Sequence, residues 1–301
     1  MEFIVEEGKR LHEECSTLVL PALSIGNVGQ LAVDLMVSST KAERIGYLDN
    51  PYVLPCIGND AYGPIPQGEL ALPLEAYDSS SNALTLLQQR SPVVKVMTLA
   101  LFLLLLTIYL GAAYVFKGRM VEFAKNLADF AAASGKKHVV VLSGLDFGRW
   151  RNIDMSSGSQ IYYLSSMNAD GTDDYCEQLG WKRLQEYDPA QRSWKYLSTF
   201  AEGNANQGDN LPLEDDLEEE DYCPSLPFAV LFACFKAKGL KVTCLLCYCS
   251  EGDNIPDAFH LAEEASQLLG LSPSNFHGDE KWVVPFSWKT VYGPPPDTSI
   301  F

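Results

Sequence analysis

The feature that most restricts how this chain can fold is a run of 21 uncharged, mostly apolar residues at positions 96–116. About 20 apolar residues suffice to cross a bilayer as a helix, so the run taken alone predicts a transmembrane segment. The segments on either side of it, however, have the patterns of strands and helices that belong to one sheet. A single span would separate the two halves of that sheet, and its hydrogen-bond ladder would not close.

The run has three interpretations. Residues 96–117 are a surplus insertion, a membrane anchor that folds back beside the domain, or a buried core helix. A valine codon begins with GT and a lysine codon can end in AG, so the segment from Val96 to Lys117 has the boundaries of a retained intron. Sequencing the transcript across Lys95 and Gly118 distinguishes the first interpretation from the other two.

Outside this run, short apolar segments alternate with segments of helical periodicity, which is typical of an α/β sandwich. The predicted strands are residues 17–23, 44–48, 69–77 and 84–89 (paired as a hairpin), 138–143, 160–164 and 240–249; the predicted helices are residues 31–37, 119–134, 173–179 and 256–269. Residues 228–235 fit either a helix or a strand. We therefore predict a single domain over residues 1–301, a three-layer α/β/α sandwich with a largely parallel central sheet and an anomalous hydrophobic insertion.

The formal net charge of −17 argues against nucleic acid as a partner, because phosphate backbones repel such a surface. Basic protein surfaces are better candidates. Part of the charge is local, since residues 214–221 are all acidic except Leu217. Blocks of like charge are usually solvated, and residues 202–225 are predicted to form an acidic, disordered loop.

The eight cysteines do not indicate a disulfide framework. The first 15 residues lack the apolar core of a signal peptide, so reduced thiols in the cytosol or nucleus are expected. Cys244, Cys247 and Cys249 resemble a metal cluster, but side chains alternate along a strand, which places Cys244 on the face opposite the other two. We predict buried thiols and neither a metal nor a cofactor.

Gly26 and Gly29 lie between a predicted strand and a predicted helix. The amino terminus of a helix attracts anions, so this turn resembles a phosphate site. It lacks the third glycine of the dinucleotide fingerprint and the Lys-Ser/Thr pair of a P-loop. The alternative is close packing between strand and helix, for which glycine permits a near approach or a positive φ. The sequence favours packing.

Carboxylates follow the predicted strand 240–249, at the edge of the sheet where α/β enzymes keep their sites. They are Glu251, Asp253 and Asp257. Asp253 or Asn254 also suits the cap of the next helix, which has Pro256 in its first turn. The four histidines are dispersed: His12, His138, His260 and His277. Nothing near the carboxylates completes a catalytic set, so the chain is not predicted to be an enzyme.

Three segments are more specific than any single glycine or carboxylate. Residues 21–35 (PALSIGNVGQLAVDL) are followed by Ile-Gly-Tyr at 45–47, residues 250–258 read SEGDNIPDA, and Trp282 precedes Pro-Phe-Ser-Trp at 285–288. Together and in this order they resemble the PAC2 family of proteasome assembly chaperones. The family has no apolar run like residues 96–116, which favours the surplus-insertion interpretation.

The resemblance implies a chaperone that binds proteins and has no reactive centre. It implies a heterodimer with assembly chaperone 1 that binds α subunits of the 20S proteasome while their ring forms, in cytoplasm and nucleus. These chaperones are associated with a C-terminal hydrophobic–tyrosine–any tail that enters pockets between α subunits. Here residues 294–301 begin with a stiff triproline and end in Ser299, Ile300 and Phe301, with isoleucine in place of tyrosine. Ile300 and Phe301 are the candidate partner-binding residues.

Two other functions compete with this interpretation. The interpretation as a membrane-anchored adaptor depends on residues 96–116 alone, and membrane association is expected only if that run is a genuine span. A nucleoside-phosphorylase-like enzyme requires an ordered pocket with convergent polar groups.

Overall fold

The computed structural model describes residues 1–63, 69–93, 112–149, 161–203, 222–271 and 282–290, and its main feature is a nine-stranded sheet. The strands of the chain are β1 (Glu2–Val5), β2 (Thr17–Pro21), β3 (Glu43–Asp49), β4 (Gly58–Asn59), β5 (Leu70–Ala71), β6 (Leu74–Ser79), β7 (Leu84–Gln89), β8 (His138–Asp146), β9 (Ile161–Ser165), β10 (Lys182–Arg183) and β11 (Lys241–Cys249). β4 and β5 pair only with each other, and the other nine form the sheet.

The sheet has a parallel centre and antiparallel flanks. Its order is β1-β3-β6-β7-β2-β8-β11-β9-β10. The neighbours β7, β2, β8 and β11 run parallel, whereas β1, β3, β6 and β7 are successively antiparallel and β9 is antiparallel to β11. The predicted hairpin is confirmed as β6–β7.

Helices cover both faces of the sheet. They are α1 (Val28–Thr40), α2 (Ala112–Ala133), α3 (Asp174–Gln178), α4 (Arg192–Ala201), α5 (Tyr222–Ser225), α6 (Pro227–Ala237) and α7 (Ile255–Leu268). α1 and α7 pack together on one face, and α2, α4 and α6 pack together on the other. Each face buries its own apolar cluster, so the predicted α/β sandwich is confirmed.

The alternation of side chains along β11 explains how one strand serves both clusters. Cys244 and Leu246 lie in the cluster under α2 and α6, whereas Leu245, Cys247 and Cys249 lie in the cluster under α1 and α7. The predicted separation of Cys244 from the other two cysteines is therefore confirmed. Among the described residues, no group of three metal-ligating side chains gathers.

The apolar run is only partly described. Helix α2 begins at Ala112, inside the predicted insertion, and continues through the predicted amphipathic helix to Ala133. Gly135 follows with φ of 69° and donates its N–H to the Ala132 carbonyl, as expected of a residue that ends a helix. Residues 94–111 lie outside the described part, and with them most of the run. None of the helices within the described ranges is both long and apolar enough to span a bilayer.

Other boundaries differ from those predicted. Residues 228–235 belong to helix α6, which begins at Pro227, a residue whose fixed φ suits a first helical turn. β1 and α4 were not predicted. Residues 204–221 of the predicted acidic loop lie outside the described ranges, but its last residues form α5 with Cys223 and Pro224 buried.

We predict that protonation of His138 destabilises the protein in mild acid. The ring is largely buried at the start of β8, 3.0 Å from the Thr243 hydroxyl. Burial, reinforced by the Lys241 charge and opposed by Asp173, lowers the pKa of His138 from 6.5 to about 4. The unfolded chain therefore binds the proton first, so stability present above pH 6.5 is lost as the pH falls through 4, by about 2–3 kcal/mol.

The measurement is urea unfolding of the wild type and His138→Gln at pH 7 and at pH 4. The carboxylates of the chain titrate in both proteins over this interval. The difference between the two losses of unfolding free energy therefore reports on His138. The wild type should lose more stability than the variant over this interval. Equal losses would refute the assignment.

Candidate functional site

The structure brings two of the sequence signatures together at the carboxyl edge of the parallel strands. Residues 24–27 leave β2, and residues 250–257 leave β11 and start α7. Residues 147–149, which leave β8, lie beside them as a single 3₁₀ turn. In open α/β sheets this edge is where ligands usually bind.

Direct hydrogen bonds join these segments. The Gly144 N–H donates to the Ser24 hydroxyl at 2.8 Å, and the Cys249 thiol lies 3.6 Å from the Ile25 carbonyl. The Asn254 side chain fills the space that a Cβ on Gly26 would occupy, since its Oδ1 lies 2.3 Å from that position. Asn254, at the start of α7, therefore packs directly against the turn that follows β2.

The glycines serve packing. Gly26 has φ of 62°, a left-handed conformation that favours glycine. A Cβ on Gly29 would lie 2.3 Å from the Leu142 carbonyl oxygen, which shows how closely α1 crosses β8. The packing interpretation of this turn is thus confirmed.

We predict that Gly29→Ala destabilises the protein by about 1–3 kcal/mol, because the added methyl group meets backbone that moves only if α1 separates from β8. Chemical denaturation measures the loss. Gly135→Ala is not a clean control because of its positive φ, whereas Gly58→Ala is, since a Cβ there meets nothing nearer than 3.9 Å. A Gly29→Ala protein as stable as Gly58→Ala would contradict the packing role.

Two of the three carboxylates at this edge make local hydrogen bonds at the start of α7. Asp253 Oδ1 accepts from the Ile255 N–H at 3.2 Å, and Asp257 Oδ2 accepts from Asn254 Nδ2 at the same distance. Of the two predicted cap residues, Asn254 occupies the N-cap position of α7, without a hydrogen bond from its side chain to the first turn, and Asp253 lies one residue before it. Glu251 is exposed.

The three described histidines have different hydrogen-bond or ion-pair partners. His12 bonds Asp78 Oδ2 through Nδ1 at 3.1 Å, and His138 lies at the start of β8, the end opposite to the carboxylates. His260 on α7 lies 3.9 Å from Glu264, and His277 lies outside the described residues. Within the described ranges, no histidine approaches the carboxylates of residues 251–257 closely enough to form a catalytic pair.

Two cysteines of β11, Cys249 at the edge and Cys244 within the strand, are not activated. Burial raises the pKa of Cys249 to about 12 and places that of Cys244 well above its usual range. A thiol is nucleophilic only as the thiolate, so these side chains remain neutral packing groups.

A buried polar network, not predicted from the sequence, lies where β7 ends. Arg90 Nε donates to Glu75 Oε2 at 2.9 Å, and its Nη2 lies 3.2 Å from Asp34 Oδ1 and 3.0 Å from the Tyr62 hydroxyl. The Tyr62 hydroxyl and Gln88 Nε2 both donate to Asp34 Oδ1 at 2.6 Å. A charged residue in the otherwise apolar helix α1, and three polar residues at the end of a buried strand, were the signals in the sequence.

The charges of the network fix its protonation. Burial lowers the pKa of Arg90, but the acidic groups Tyr62, Asp34 and Glu75 raise it further than burial lowers it. Burial and the Asp34 charge raise the pKa of Tyr62. Arg90 is thus a permanent cation and Tyr62 a permanent donor, which makes the network a structural brace and not a proton-transfer site.

The C-terminal segment 282–290, here called the Trp strap, lies across α7. Trp282 and Trp288 are buried, and their rings meet Phe259 edge-on with centroid distances of 6.5 and 6.3 Å. The third sequence signature is therefore a packing element on the same face as α1.

Two hydrogen bonds donated by backbone N–H groups attach the strap to segments other than α7. The Val283 N–H donates to the Ser39 hydroxyl at 2.9 Å, and the Ser287 N–H donates to the Ala61 carbonyl at 3.0 Å. Ala61 precedes Tyr62, so the strap rests against the loop that supplies the polar network. The candidate residues Ile300 and Phe301 lie beyond the strap, outside the described residues.

The chain is similar to known proteins over most of its length. The PAC2 family profile matches residues 18–275. Proteins named proteasome assembly chaperone 2 from Danio rerio, Nematostella vectensis and Homo sapiens are 28%, 30% and 25% identical, over 92%, 81% and 92% of this chain and 91%, 85% and 91% of theirs.

Solved structures share the fold at low sequence identity. Pyrococcus furiosus PbaA, an archaeal homolog of proteasome-assembly chaperone, superposes with a TM-score of 0.52 at 16% identity, covering 90% of this chain and 86% of its own. A Thermoplasma acidophilum protein of unknown function superposes with a TM-score of 0.53 at 11% identity, covering 87% and 80%. The matched profile, the relatives and the arrangement of the three signatures show that this chain belongs to the PAC2 family.

Proposed function

We propose that this chain is a proteasome assembly chaperone that acts by binding other proteins. The observation that carries the proposal is the alignment with proteins named proteasome assembly chaperone 2 along nearly the whole chain, with most of each relative also covered. Supporting it, Asn254 packs directly against Gly26 at the edge of the sheet where an α/β enzyme binds its substrate.

In finer detail, we place the chain in a heterodimer with assembly chaperone 1 that holds proteasome α subunits while their ring forms, in cytoplasm and nucleus. The net charge of −17 supports complementary basic partner surfaces, which would accelerate association. Affinity in such a complex comes from occupied surface, so no catalytic group is required. The enzyme alternative has no support from the described residues, where histidines and carboxylates are dispersed.

The position where the Trp strap ends limits how far the C-terminal tail can reach. The strap ends at Thr290, two residues after Trp288, which contacts α7, and residues 291–301 follow it. Eleven residues reach at most about 40 Å, so Ile300 and Phe301 are confined to that distance from this face. The tail is thus proposed to add a second contact to α subunits beside the contact made by the body.

The experiment is affinity capture from an extract of the source cells with the tagged full-length chain. Free α subunits and assembly chaperone 1 are expected in the eluate. Their absence would refute the proposed function.

The tail prediction uses a matched pair of variants in the same capture. Ile300→Ala with Phe301→Ala should reduce recovery of α subunits several-fold, because it removes the apolar end while assembly chaperone 1 is still bound by the body. Thr298→Ala with Ser299→Ala leaves that end intact and should behave as wild type. Equal recovery of α subunits by both variants would remove the tail from the proposal.

A further inference from the structure

The two edges of the sheet are built differently. β10 forms one edge with only two residues, Lys182 and Arg183, both cationic. Short strands and positive charges are devices that keep other strands from pairing. β1 forms the other edge with Glu2–Val5 and carries no lysine, proline or bulge. Among the strands that the structure describes, it is the edge left open to another strand.

The register of β1 shows which backbone groups are available. Glu6 donates its N–H to the Ile45 carbonyl at 3.0 Å, and a Cβ on Gly46 would lie 2.2 Å from the Ile4 carbonyl oxygen, so Ile4 and Glu6 direct their backbone groups toward β3. Bonded and outward residues alternate in an antiparallel ladder. The N–H and C=O groups of Phe3 and Val5 therefore point away from the sheet.

Side chains make this edge apolar at its centre. Phe3 packs against Phe130 of α2 with ring centroids 5.2 Å apart, which fixes one face of the strand to the core. Val5 is 44% exposed. A strand added beside β1 would cover Val5 and extend the same sheet, which is the mode of recognition by strand addition.

Charge indicates the chemistry of that strand. Glu2 and Asp49 are directly opposite each other in the β1–β3 ladder, and both are exposed. Like charges at opposed positions destabilise a sheet. In the part of the chain that the structure describes, neither carboxylate has an ion-pair partner. A lysine or arginine on a neighbouring strand, next to Glu2, would neutralise both. A second copy of this chain offers only Phe, Ile, Val and Glu from its own β1, so self-pairing does not supply the cation.

We propose that the open edge of β1 binds a β-strand of a partner protein, with a basic side chain placed beside Glu2 and Asp49. The inference rests on the proposed function, under which the partner is assembly chaperone 1. The added strand bonds the outward backbone groups of Phe3 and Val5 and covers the Val5 side chain.

Val5→Pro is the sharpest test, because the N–H that it removes points away from β3. The β1–β3 ladder keeps its own bonds, and proline is tolerated on such an edge. A docking strand, in contrast, loses one bond and meets the proline ring. We expect Kd for assembly chaperone 1 from the same organism to rise at least tenfold in calorimetric titration, with the thermal unfolding of the free chain unchanged.

Glu2→Lys tests the charge in the same titration. Binding should weaken about fivefold at low salt, and the difference should shrink as salt screens it. The matched control is Lys182→Glu on the opposite edge, which reverses an exposed charge of equal size and should bind as wild type.

Hydrogen exchange supplies an independent measurement on the wild type. The amides of Phe3 and Val5 should exchange fast in the free chain and slowly in the complex. If a complex forms but Val5→Pro binds within twofold of wild type and these amides stay unprotected, the edge proposal is overturned and the proposed function stands. If the wild type binds neither assembly chaperone 1 nor α subunits, both fail. If only α subunits bind, the edge proposal fails because its partner does not bind, whereas the chaperone role stands.

Discussion

Replacing Arg90 with methionine is expected to lower the free energy of unfolding by about 3 kcal/mol. Methionine fills most of the same volume, so the loss is mainly electrostatic. The Glu75 side chain is 1% exposed and that of Asp34 10% exposed, and the variant removes the Arg90 cation from both. Glu75 keeps its second ion pair, with Arg44 Nη1 at 3.1 Å from Glu75 Oε1. Removing one member of a buried ionic group costs about 3–5 kcal/mol, and the 21% exposure of the Arg90 side chain places the expected value at the lower end.

Urea unfolding at pH 7 measures the effect, and two further variants assign it. Arg90→Lys retains the charge but not the planar fork that contacts Glu75 and Asp34 together, so a smaller loss is expected. Adding Asp34→Asn to Arg90→Met removes one stranded charge, so the double variant should be more stable than the sum of the single effects predicts. Strict additivity would show that Arg90 acts through packing alone.

The same variant should loosen the Trp strap. Tyr62 donates to Asp34 and contacts Arg90, and its neighbour Ala61 accepts the bond from Ser287. Loss of Arg90 therefore disturbs the loop on which the strap rests, and trypsin or chymotrypsin should cleave near residue 290 faster in Arg90→Met than in the wild type.

The layers of the fold were predictable because each strand has a simple pattern. Parallel strands buried on both faces read as continuous apolar runs, which is why residues 138–143 and 240–249 were identified as β8 and β11. Residues 228–235 could be predicted as either a helix or a strand because the segment is apolar on all sides. Helix α6 is covered by the sheet on one side and by α2 and α4 on the others, so no polar face marks its helical period.

Two elements were missed for different reasons. β1 is a four-residue edge strand with two half-buried residues, and its pairing with β3 depends on contacts more than 40 residues away, which a local pattern does not record. α4, in contrast, carries a clear amphipathic pattern, since Trp194, Leu197 and Phe200 recur every three residues and pack against the core. Its helical signal was present in the sequence and was overlooked.

The candidate site was predictable in its parts but not in its assembly. The sequence marked residues 24–29 and 250–258 separately, and each allowed a chemical or a structural interpretation. Two close approaches in the structure favour the structural interpretation. Asn254 occupies the space beside Gly26, and the Leu142 carbonyl oxygen occupies the space beside Gly29. Contacts between positions more than 100 residues apart follow from the crossing of α1 over β8, which no local pattern specifies.

The largest loss of stability is expected from Asp78→Ala, about 3–5 kcal/mol. The Asp78 side chain is 1% exposed and accepts three hydrogen bonds: from the Thr85 hydroxyl at 2.5 Å, from the His12 N–H at 2.9 Å and from His12 Nδ1 at 3.1 Å. Lys136, also buried, donates to the same Thr85 hydroxyl at 2.5 Å and to the Cys15 carbonyl at 2.6 Å. Alanine would leave the Lys136 charge without its counter-charge.

The direction of the Lys136 pKa supports this reasoning. Burial lowers it and the Asp78 charge raises it, with burial the larger effect. Without Asp78, burial and the weaker interaction with Cys15 remain, so the ammonium form of Lys136 becomes less favourable. The segment from His12 to Cys15, which leads from β1 into β2, would lose its attachment at the same time.

Denaturant unfolding of Asp78→Ala, Asp78→Ala with Lys136→Met, and Glu43→Ala tests the assignment. Adding Lys136→Met removes the stranded charge, so the double variant should recover part of the stability that Asp78→Ala loses. Glu43 pairs with Lys9 in the same N-terminal region but at the exposed surface, so its loss should have no measurable effect. If Asp78→Ala were as mild as Glu43→Ala, the buried charges would not hold the N-terminal segment to the sheet, and β1 would need another anchor to remain in place for a partner strand.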